Sequence, residues 1–177
     1  MINWDLWGVG EDGPDYCQSL YELAQKFECK KGLEIGVRFG KSALAFLMAV
    51  PKSTLIGIDP NPEFEVENFL ARQGVGKRFT FYREASPEAL ERFGGKPQFD
   101  WIYIDGDHRY DAINADYEAT WPLLKKGGIM VFDDYREDLG YSTGTQAWFH
   151  DKGFKHVSTK DLGLTENPHA CAILIKE

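Results

Sequence analysis

The residues with the most chemical potential fall in two short runs, Asp105-Gly106-Asp107-His108 and Asp133-Asp134-Tyr135, each directly after an apolar stretch that reads as a strand. One amphipathic segment separates them, so a right-handed strand-helix-strand crossover would set both runs side by side at one end of a sheet. Gathered there, Asp105, Asp133 and Asp134 would repel one another unless a cation sat among them. A donor set made only of oxygen suits magnesium first, then manganese or calcium. Such an ion can acidify a hydroxyl group and fix the position of its oxygen. His108, three residues beyond Asp105, can remove the hydroxyl proton near neutral pH. Acids at strand ends also cap helices, and a single histidine is often structural, so the residues alone leave both readings open.

A second group lies earlier in the chain. The segment Glu34-Ile35-Gly36-Val37-Arg38-Phe39-Gly40 joins an apolar strand to a helix, the place where an open α/β sheet binds its ligand. A dinucleotide loop requires G-x-G-x-x-G, and Arg38 stands where its second glycine would receive the pyrophosphate. A P-loop also fails, because Ile35 stands where Gly40-Lys41-Ser42 would need a glycine five positions earlier. The loop therefore suits close backbone contact with a ligand that lacks a pyrophosphate, or is a plain tight turn. Asp59 ends the next strand, Leu55-Ile56-Gly57-Ile58, about twenty residues on, where an acid can accept both hydroxyls of a ribose. It can equally open the turn Asp59-Pro60-Asn61-Pro62.

These residues need a scaffold that brings strand ends together, and the alternation of short apolar runs with longer amphipathic ones predicts it: an α/β fold with a mostly parallel sheet. Seven strands are expected, at Gly32 to Ile35, Thr54 to Ile58, Arg78 to Arg83, Trp101 to Ile104, Ile129 to Phe132, Lys155 to Thr159 and Ala170 to Ile175, the last two forming an antiparallel edge pair. Helices are expected over Tyr16 to Cys29, Lys41 to Val50, Glu63 to Arg72 and near Thr145 to His150, on both faces of the sheet. Ser86 is read as the N-cap of a helix with Pro87 at its first position. Ile113, Tyr117, Trp121 and Leu124 form the apolar stripe of another helix, ended by Gly127-Gly128 with Pro122 shortening or kinking its last turn.

Composition bounds the partners. A chain of 177 residues, 43% hydrophobic, can bury one good core, so residues 1–177 are read as a single domain with residues 1–30 as an N-terminal segment and helix. The net charge of −8 gives no basic field for nucleic acid or anionic lipid, which favours a small-molecule partner. Cys17, Cys29 and Cys171 lack the paired spacing of a zinc site and suit reduced thiols in a cytoplasm. No apolar stretch approaches the roughly 20 residues that span a bilayer.

Three segments taken together carry a family resemblance: Leu33-Glu34-Ile35-Gly36-Val37-Arg38-Phe39-Gly40-Lys41-Ser42, Gly57-Ile58-Asp59-Pro60, and the run from Phe99 through Asp105-Gly106-Asp107-His108 and Pro122-Leu123-Leu124-Lys125-Lys126-Gly127-Gly128 to Tyr135. Over about residues 31 to 135 they resemble class I, Rossmann-like S-adenosylmethionine-dependent methyltransferases. They are most similar to the group containing the metal-dependent macrolide-sugar O-methyltransferases, with catechol O-methyltransferase more distant. The resemblance implies that Glu34, Gly36 and Gly40, with Ser42 beside them, hold the methionine part of the cofactor and that Asp59 binds the ribose. It also implies that Arg83-Glu84-Ala85-Ser86 borders the adenine, that Asp105, Asp133 and Asp134 ligate the metal with Asp105 also touching the cofactor, and that His108 is the base. Catechol-type enzymes have Asp-Asn where this chain has Asp133-Asp134. About thirty residues precede the first expected strand in the sequence, where those relatives have a large N-terminal domain or lid, so a shorter acceptor-side segment is expected.

The implied activity is methyl transfer to a hydroxyl oxygen of a small acceptor. Trp4, Trp7, Tyr110, Tyr135, Arg136 and His150 are candidates for the acceptor pocket, with Trp4 and Trp7, near Gly8, Gly10 and Gly13, either an aromatic lid or, as is commoner for N-terminal aromatics, packed on the core, and a second copy of the chain as another way to complete so small a site. Two alternatives stand beside this reading: a metal-independent methyltransferase acting on nitrogen or oxygen, and a non-catalytic module that binds S-adenosylmethionine or another nucleoside.

Overall fold

Short β-branched and apolar runs between amphipathic segments leave the backbone few ways to pair except in one sheet with helices against both faces. A computed structural model of the chain, which describes Trp4 and residues 13–62, 65–135, 144–168 and 170–177, has that form. In chain order it contains α1 (Gly13–Lys26), β1 (Lys31–Ile35), α2 (Lys41–Ala49), β2 (Thr54–Ile58), α3 (Val66–Arg72), β3 (Phe79–Tyr82), β4 (Phe99–Ile104), α4 (Tyr110–Thr120), β5 (Leu124–Phe132), α5 (Gly144–Lys152) and β6 (Ala172–Ile175). The strands run in the order β3-β2-β1-β4-β5-β6, parallel except for β6, which is antiparallel to β5.

Alternation along the central strands divides the core between the two faces. Trp101, Tyr103, Ile129 and Val131 pack with Leu20, Leu23, Leu44 and Phe46 on the side of α1 and α2. Ile102, Ile104, Met130 and Phe132 pack with Ile113, Trp148 and Phe149 on the side of α4 and α5. Cys17, Cys29 and Cys171 are buried thiols without disulfides, and burial pushes each up to about 12. No helix among the described residues is long and apolar enough to cross a membrane.

Several boundaries differ from the sequence expectations. The described sheet has six strands, because Lys155 to Thr159 contributes only the bridge Val157 to Ile173. Past that bridge the Asp161 carboxylate accepts from the Ser158 amide and hydroxyl, and the chain turns away with Leu162 and Leu164 packed on the core. The helix expected to run to Gly127-Gly128 stops at Thr120, where a 3-10 turn, Trp121–Leu123, takes in Pro122. Proline has no amide hydrogen to continue an α-helix. Leu124 accordingly opens β5. Ser86 does not cap an α-helix, since the element that follows, Glu88–Phe93, is a 3-10 helix with Pro87 at its N-cap position.

The strands end in one row on the loop side. The Asp59 amide donates to the Tyr82 carbonyl, Gly36 to Ile58, Asp105 to Ile35 and Asp133 to Ile104 at 2.8–3.2 Å, so the ladder continues one residue past each strand. At about 4.8 Å per strand, Asp59, Gly36, Asp105 and Asp133 span about 14 Å. The chain reverses direction across the sheet between β1 and β4, which opens the crevice between Gly36 and Asp105.

Gly36 makes that crevice possible. It has φ +81°, and a Cβ there would lie 2.0 Å from the Asp105 carbonyl oxygen and 2.8 Å from the Gly106 Cα. Gly36→Ala is expected to lower stability by about 4 kcal/mol or more, combining left-handed strain with a backbone clash. Gly127→Ala, at φ +78° in open space, carries only the strain and is expected to lower it by about 1 kcal/mol. Urea unfolding of the two variants checks this, and equal losses would contradict the proposed close approach.

Candidate active site

The loop after β1 is braced from beneath by buried acids. Glu34 is 1% exposed and its Oε1 accepts from the Ser42 hydroxyl in the first turn of α2. Burial pushes its carboxyl up to about 8, with the Ser42 hydrogen bond opposing and Asp59 adding to the rise. Asp59 closes the other side, its Oδ2 accepting from the Val37 and Arg38 amides at 3.0 and 2.9 Å and its Oδ1 from the Asn61 amide at 2.8 Å. Of the two readings of Asp59, the structure shows the turn-opening one. The side chain opens the turn and holds the loop, and a carboxylate with about four lone-pair sites still has room to accept from a ligand hydroxyl. Gly40, at φ +76°, caps α2.

Across the crevice lies the second acidic group. Asp105 and Asp133 lie at adjacent strand ends, and Asp133 is within hydrogen-bond reach of the Asp105 carboxyl. Desolvation first, then repulsion from Asp133, Glu34 and Asp134, raises the Asp105 carboxyl well above the usual carboxylate range. Asp134 takes a left-handed φ of 54°, a conformation uncommon outside glycine and found at functional sites. His108 Nε2 lies 3.5 Å from Asp105 Oδ1 and 3.6 Å from Asp134 Oδ2. The imidazole therefore occupies the gap between two of the three acids.

The donor chemistry of Asp105, Asp133 and Asp134 fits a hard divalent cation, whose charge would relieve the repulsion that raises Asp105. Among the described residues, no three His, Cys, Asp or Glu side chains are arranged to hold an ion as they stand. In this arrangement the Asp105 carboxyl is neighboured by Asp133 and by the His108 ring.

The adenine-side residues are more spread. Glu84 is exposed and ion-paired with Arg92, whose guanidinium stacks 3.9 Å over the Tyr82 ring. Ala85 is exposed, and Ser86 is half-buried against Asp116. Of the acceptor candidates, Tyr135 and His150 line one cleft of about 640 Å³ together with Gln146, Phe149 and Phe154. Tyr110 instead bonds to Asp151. Trp4 is buried, donating to Gln18 at 2.8 Å and meeting Tyr21 edge-on, so it packs on α1 rather than over the crevice. Trp7 and Arg136 lie outside the described residues.

Two contacts went unread in the sequence. The Tyr16 and Tyr103 hydroxyls are 2.9 Å apart beneath the acids, and Tyr16 also reaches Asp105 Oδ2 at 3.5 Å. Asp116 is buried on the inward side of α4. An acid between Ile113 and Tyr117, inside an apolar stripe, was the available signal for Asp116. Nothing in the spacing of Tyr16 marks its contact with β4.

Comparison with known proteins agrees with this arrangement. A family model described as a methyltransferase domain matches residues 33–135. The chain is 28% identical over 138 residues to tricin synthase 1 of Oryza sativa subsp. japonica, covering 72% of this chain and 54% of that one. It is 31% identical over 136 residues to caffeoyl-CoA O-methyltransferase 2 of Zea mays, covering 72% and 50%. It thus spans about half the length of these relatives. Among solved structures, the O-methyltransferase TomG of Streptomyces achromogenes, in complex with SAM, superposes with a TM-score of 0.70 at 18% identity over 91% of this chain and 79% of that one, a likeness of fold. With a match that runs from β1 through both acidic clusters, the chain belongs to the methyltransferase-domain family.

Proposed function

We propose that the protein transfers a methyl group from S-adenosylmethionine to a hydroxyl oxygen of a small molecule, assisted by a divalent cation. The observation that carries this reading is the single row of strand ends. Asp59 and the glycine loop lie on one side of the Gly36–Asp105 contact, and Asp133 lies on the other. An extended nucleoside with an amino-acid tail suits the first half, and a hydroxylated acceptor the second. The names of the relatives, caffeoyl-CoA O-methyltransferase and tricin synthase, support the reaction type.

In this reading Asp59 binds the ribose, Arg83-Glu84-Ala85-Ser86 borders the adenine, and Gly36 and Gly40 let the backbone approach the methionine part. Glu34, held by Ser42, lies beneath that part as a countercharge to its ammonium and sulfonium groups. Asp105, Asp133 and Asp134 would hold magnesium, which supplies Lewis acidity to the acceptor hydroxyl. For such an ion to reach both Asp105 and Asp134, the His108 ring must leave the gap between them and turn toward the acceptor. There Nε2 takes the hydroxyl proton as the O–C bond forms and the C–S bond of the sulfonium breaks, leaving a neutral thioether. The cleft beside Tyr135 and His150 is the place for the body of the acceptor.

A metal-independent transfer keeps one specific observation in its favour, the imidazole seated between Asp105 and Asp134. Chelation separates the two. With labelled S-adenosylmethionine and a panel of catechols, flavonoids and hydroxylated sugars, transfer is expected to vanish with excess EDTA and return with magnesium. S-adenosylhomocysteine affinity should stay within about threefold, about 0.6 kcal/mol, because the ion serves the acceptor and not the donor. Transfer that survives exhaustive chelation would contradict the metal's part, and no transfer from the donor to any acceptor, with no binding of S-adenosylhomocysteine, would contradict the reading as a whole.

Glu34 gives a second test that needs no acceptor. Its carboxyl is raised from 4.5 to about 8 in the fold. Between those values the native state binds more protons than the unfolded chain, so stability from this group is full at low pH and falls as pH rises toward about 8. Glu34→Gln keeps an acceptor for Ser42 and carries no charge to desolvate. Without ligand it is expected to be more stable than the wild type by about 2–4 kcal/mol at pH 8.5, and nearly equal at pH 5. Thermal unfolding at the two pH values reads the difference, and a gap that does not change with pH would contradict the buried-charge account.

A further inference from the structure

The end of the sheet away from the acids is cationic. The five parallel strands all begin there, and each begins beside an exposed lysine. Lys30, Lys52, Lys77 and Lys96 stand one to three residues ahead of β1, β2, β3 and β4, and Lys126 is the third residue of β5. Hydrogen bonds knit these starts into one edge. The Thr54 amide donates to the Lys30 carbonyl at 2.9 Å, the Arg78 guanidinium to the Ser53 carbonyl at 3.0 Å, and the Lys30 and Lys31 amides to the Asp100 carboxylate at 3.1 and 3.0 Å. At about 4.8 Å per strand, the lysines form a row about 19 Å long from β3 to β5.

Basic residues often end helices, where they complement the macrodipole. Lys26 and Arg72, in the last turns of α1 and α3, do so here. The five lysines at strand starts have no such task, because a sheet carries only a small dipole. None of the five has an ion pair among the described residues. Of the acids beside them, Asp100 is occupied by the Lys125 ammonium at 2.7 Å and by the two amides, and Glu28 and Glu177 are exposed. The net charge of −8 hides this row, since it averages over two ends of opposite sign. Asp59 lies seven residues beyond Lys52 along β2, about 23 Å of extended chain. That is about three Debye lengths at physiological ionic strength, so a charged surface against the lysines is screened from the acids.

We propose that this end of the protein docks on a lipid surface bearing anionic headgroups, which leaves the acidic crevice facing water. Two observations favour lipid over nucleic acid. All five side chains are lysine, a hydrated point charge on a flexible stem, and not the planar fork that arginine offers to a phosphate. The helices α1 and α3 end here with their carbonyls, whereas a helix that seats an individual phosphate presents its amides. A row of lysines gains instead from the summed field of many headgroups, roughly fivefold in affinity for each lysine near the surface. The inference is independent of the methyl-transfer reading.

Co-sedimentation of the full chain with phosphatidylcholine vesicles carrying about 30% phosphatidylglycerol, at about 0.1 M salt, tests it. The protein is expected to pellet with these vesicles, to stay in solution with phosphatidylcholine alone, and to partition about tenfold less when salt is raised to about 0.3 M. Lys52→Gln, Lys77→Gln and Lys126→Gln together should lower partitioning about 100-fold with the melting temperature unchanged, because all three side chains are exposed. Lys160→Gln with Arg109→Gln removes two exposed cations outside the row and should change partitioning by less than about twofold. A wild type that does not pellet with the anionic vesicles, or a triple variant that pellets as well as the wild type, overturns the inference. Release of the wild type from the vesicles by short duplex DNA at equal phosphate concentration would make the row a nucleic-acid surface and overturns it as well. None of these outcomes bears on the proposed function.

Discussion

Everything in this site depends on how closely the backbone after β1 approaches the backbone after β4. The Asp105 amide donates to the Ile35 carbonyl at 2.8 Å, and Gly36 then turns with its missing Cβ against the Asp105 carbonyl. Any side chain at that point would wedge the two strand ends apart. The approach closes the sheet at its switch point and brings the glycine loop after β1 next to the acidic cluster after β4 and β5. Asp59 fixes the loop at the same time, because its Oδ2 satisfies two amides that the left-handed turn at Arg38 leaves without a helical partner.

The second constraint is charge. An acidic chain has placed Glu34, Asp116 and Asp133 at or near the sheet's loop end with little solvent around them, and Asp105 half-buried beside them. Burial raises the Glu34, Asp105 and Asp116 carboxyls. A fold gains nothing from carboxylates held this way unless something cationic or hydrogen-bond-donating arrives to balance them. In the proposed reaction a sulfonium cofactor and a divalent cation would supply that balance. The ligand-free protein should therefore be less stable than the loaded one, with the difference concentrated above neutral pH.

Much of this was legible in the residues. Strand-end positions of Glu34, Asp59, Asp105 and Asp133 follow from apolar runs whose boundaries are sharp, and the parallel order follows from the crossover helices between them. What failed to show were features set by a single local competitor. The Ser158–Asp161 turn pulled Lys155 to Thr159 off the sheet edge after one bridge, whereas the shortening of α4 was legible in Pro122 itself. Ser86 reads as an N-cap because serine often is one, but Pro87 takes the cap position of a 3-10 helix, Glu88–Phe93. The Tyr16–Tyr103 contact joins residues 87 apart in sequence, and no periodicity reports a partner at that distance. Of the two readings open for Trp4, lid or core packing, the structure has the second, with its indole on Gln18 and Tyr21 of α1.

The central claim is that one ligand lies across the row of strand ends and meets a second at the acids. A crystal structure of the protein with S-adenosylhomocysteine and magnesium tests it most directly. The account predicts ribose hydroxyls on Asp59, the homocysteine part over Gly36, the adenine against Ser86, and magnesium on Asp105, Asp133 and Asp134 with His108 turned out of the gap. A nucleoside bound elsewhere, or bound here with His108 still seated between Asp105 and Asp134 and no magnesium on the acids, would contradict it.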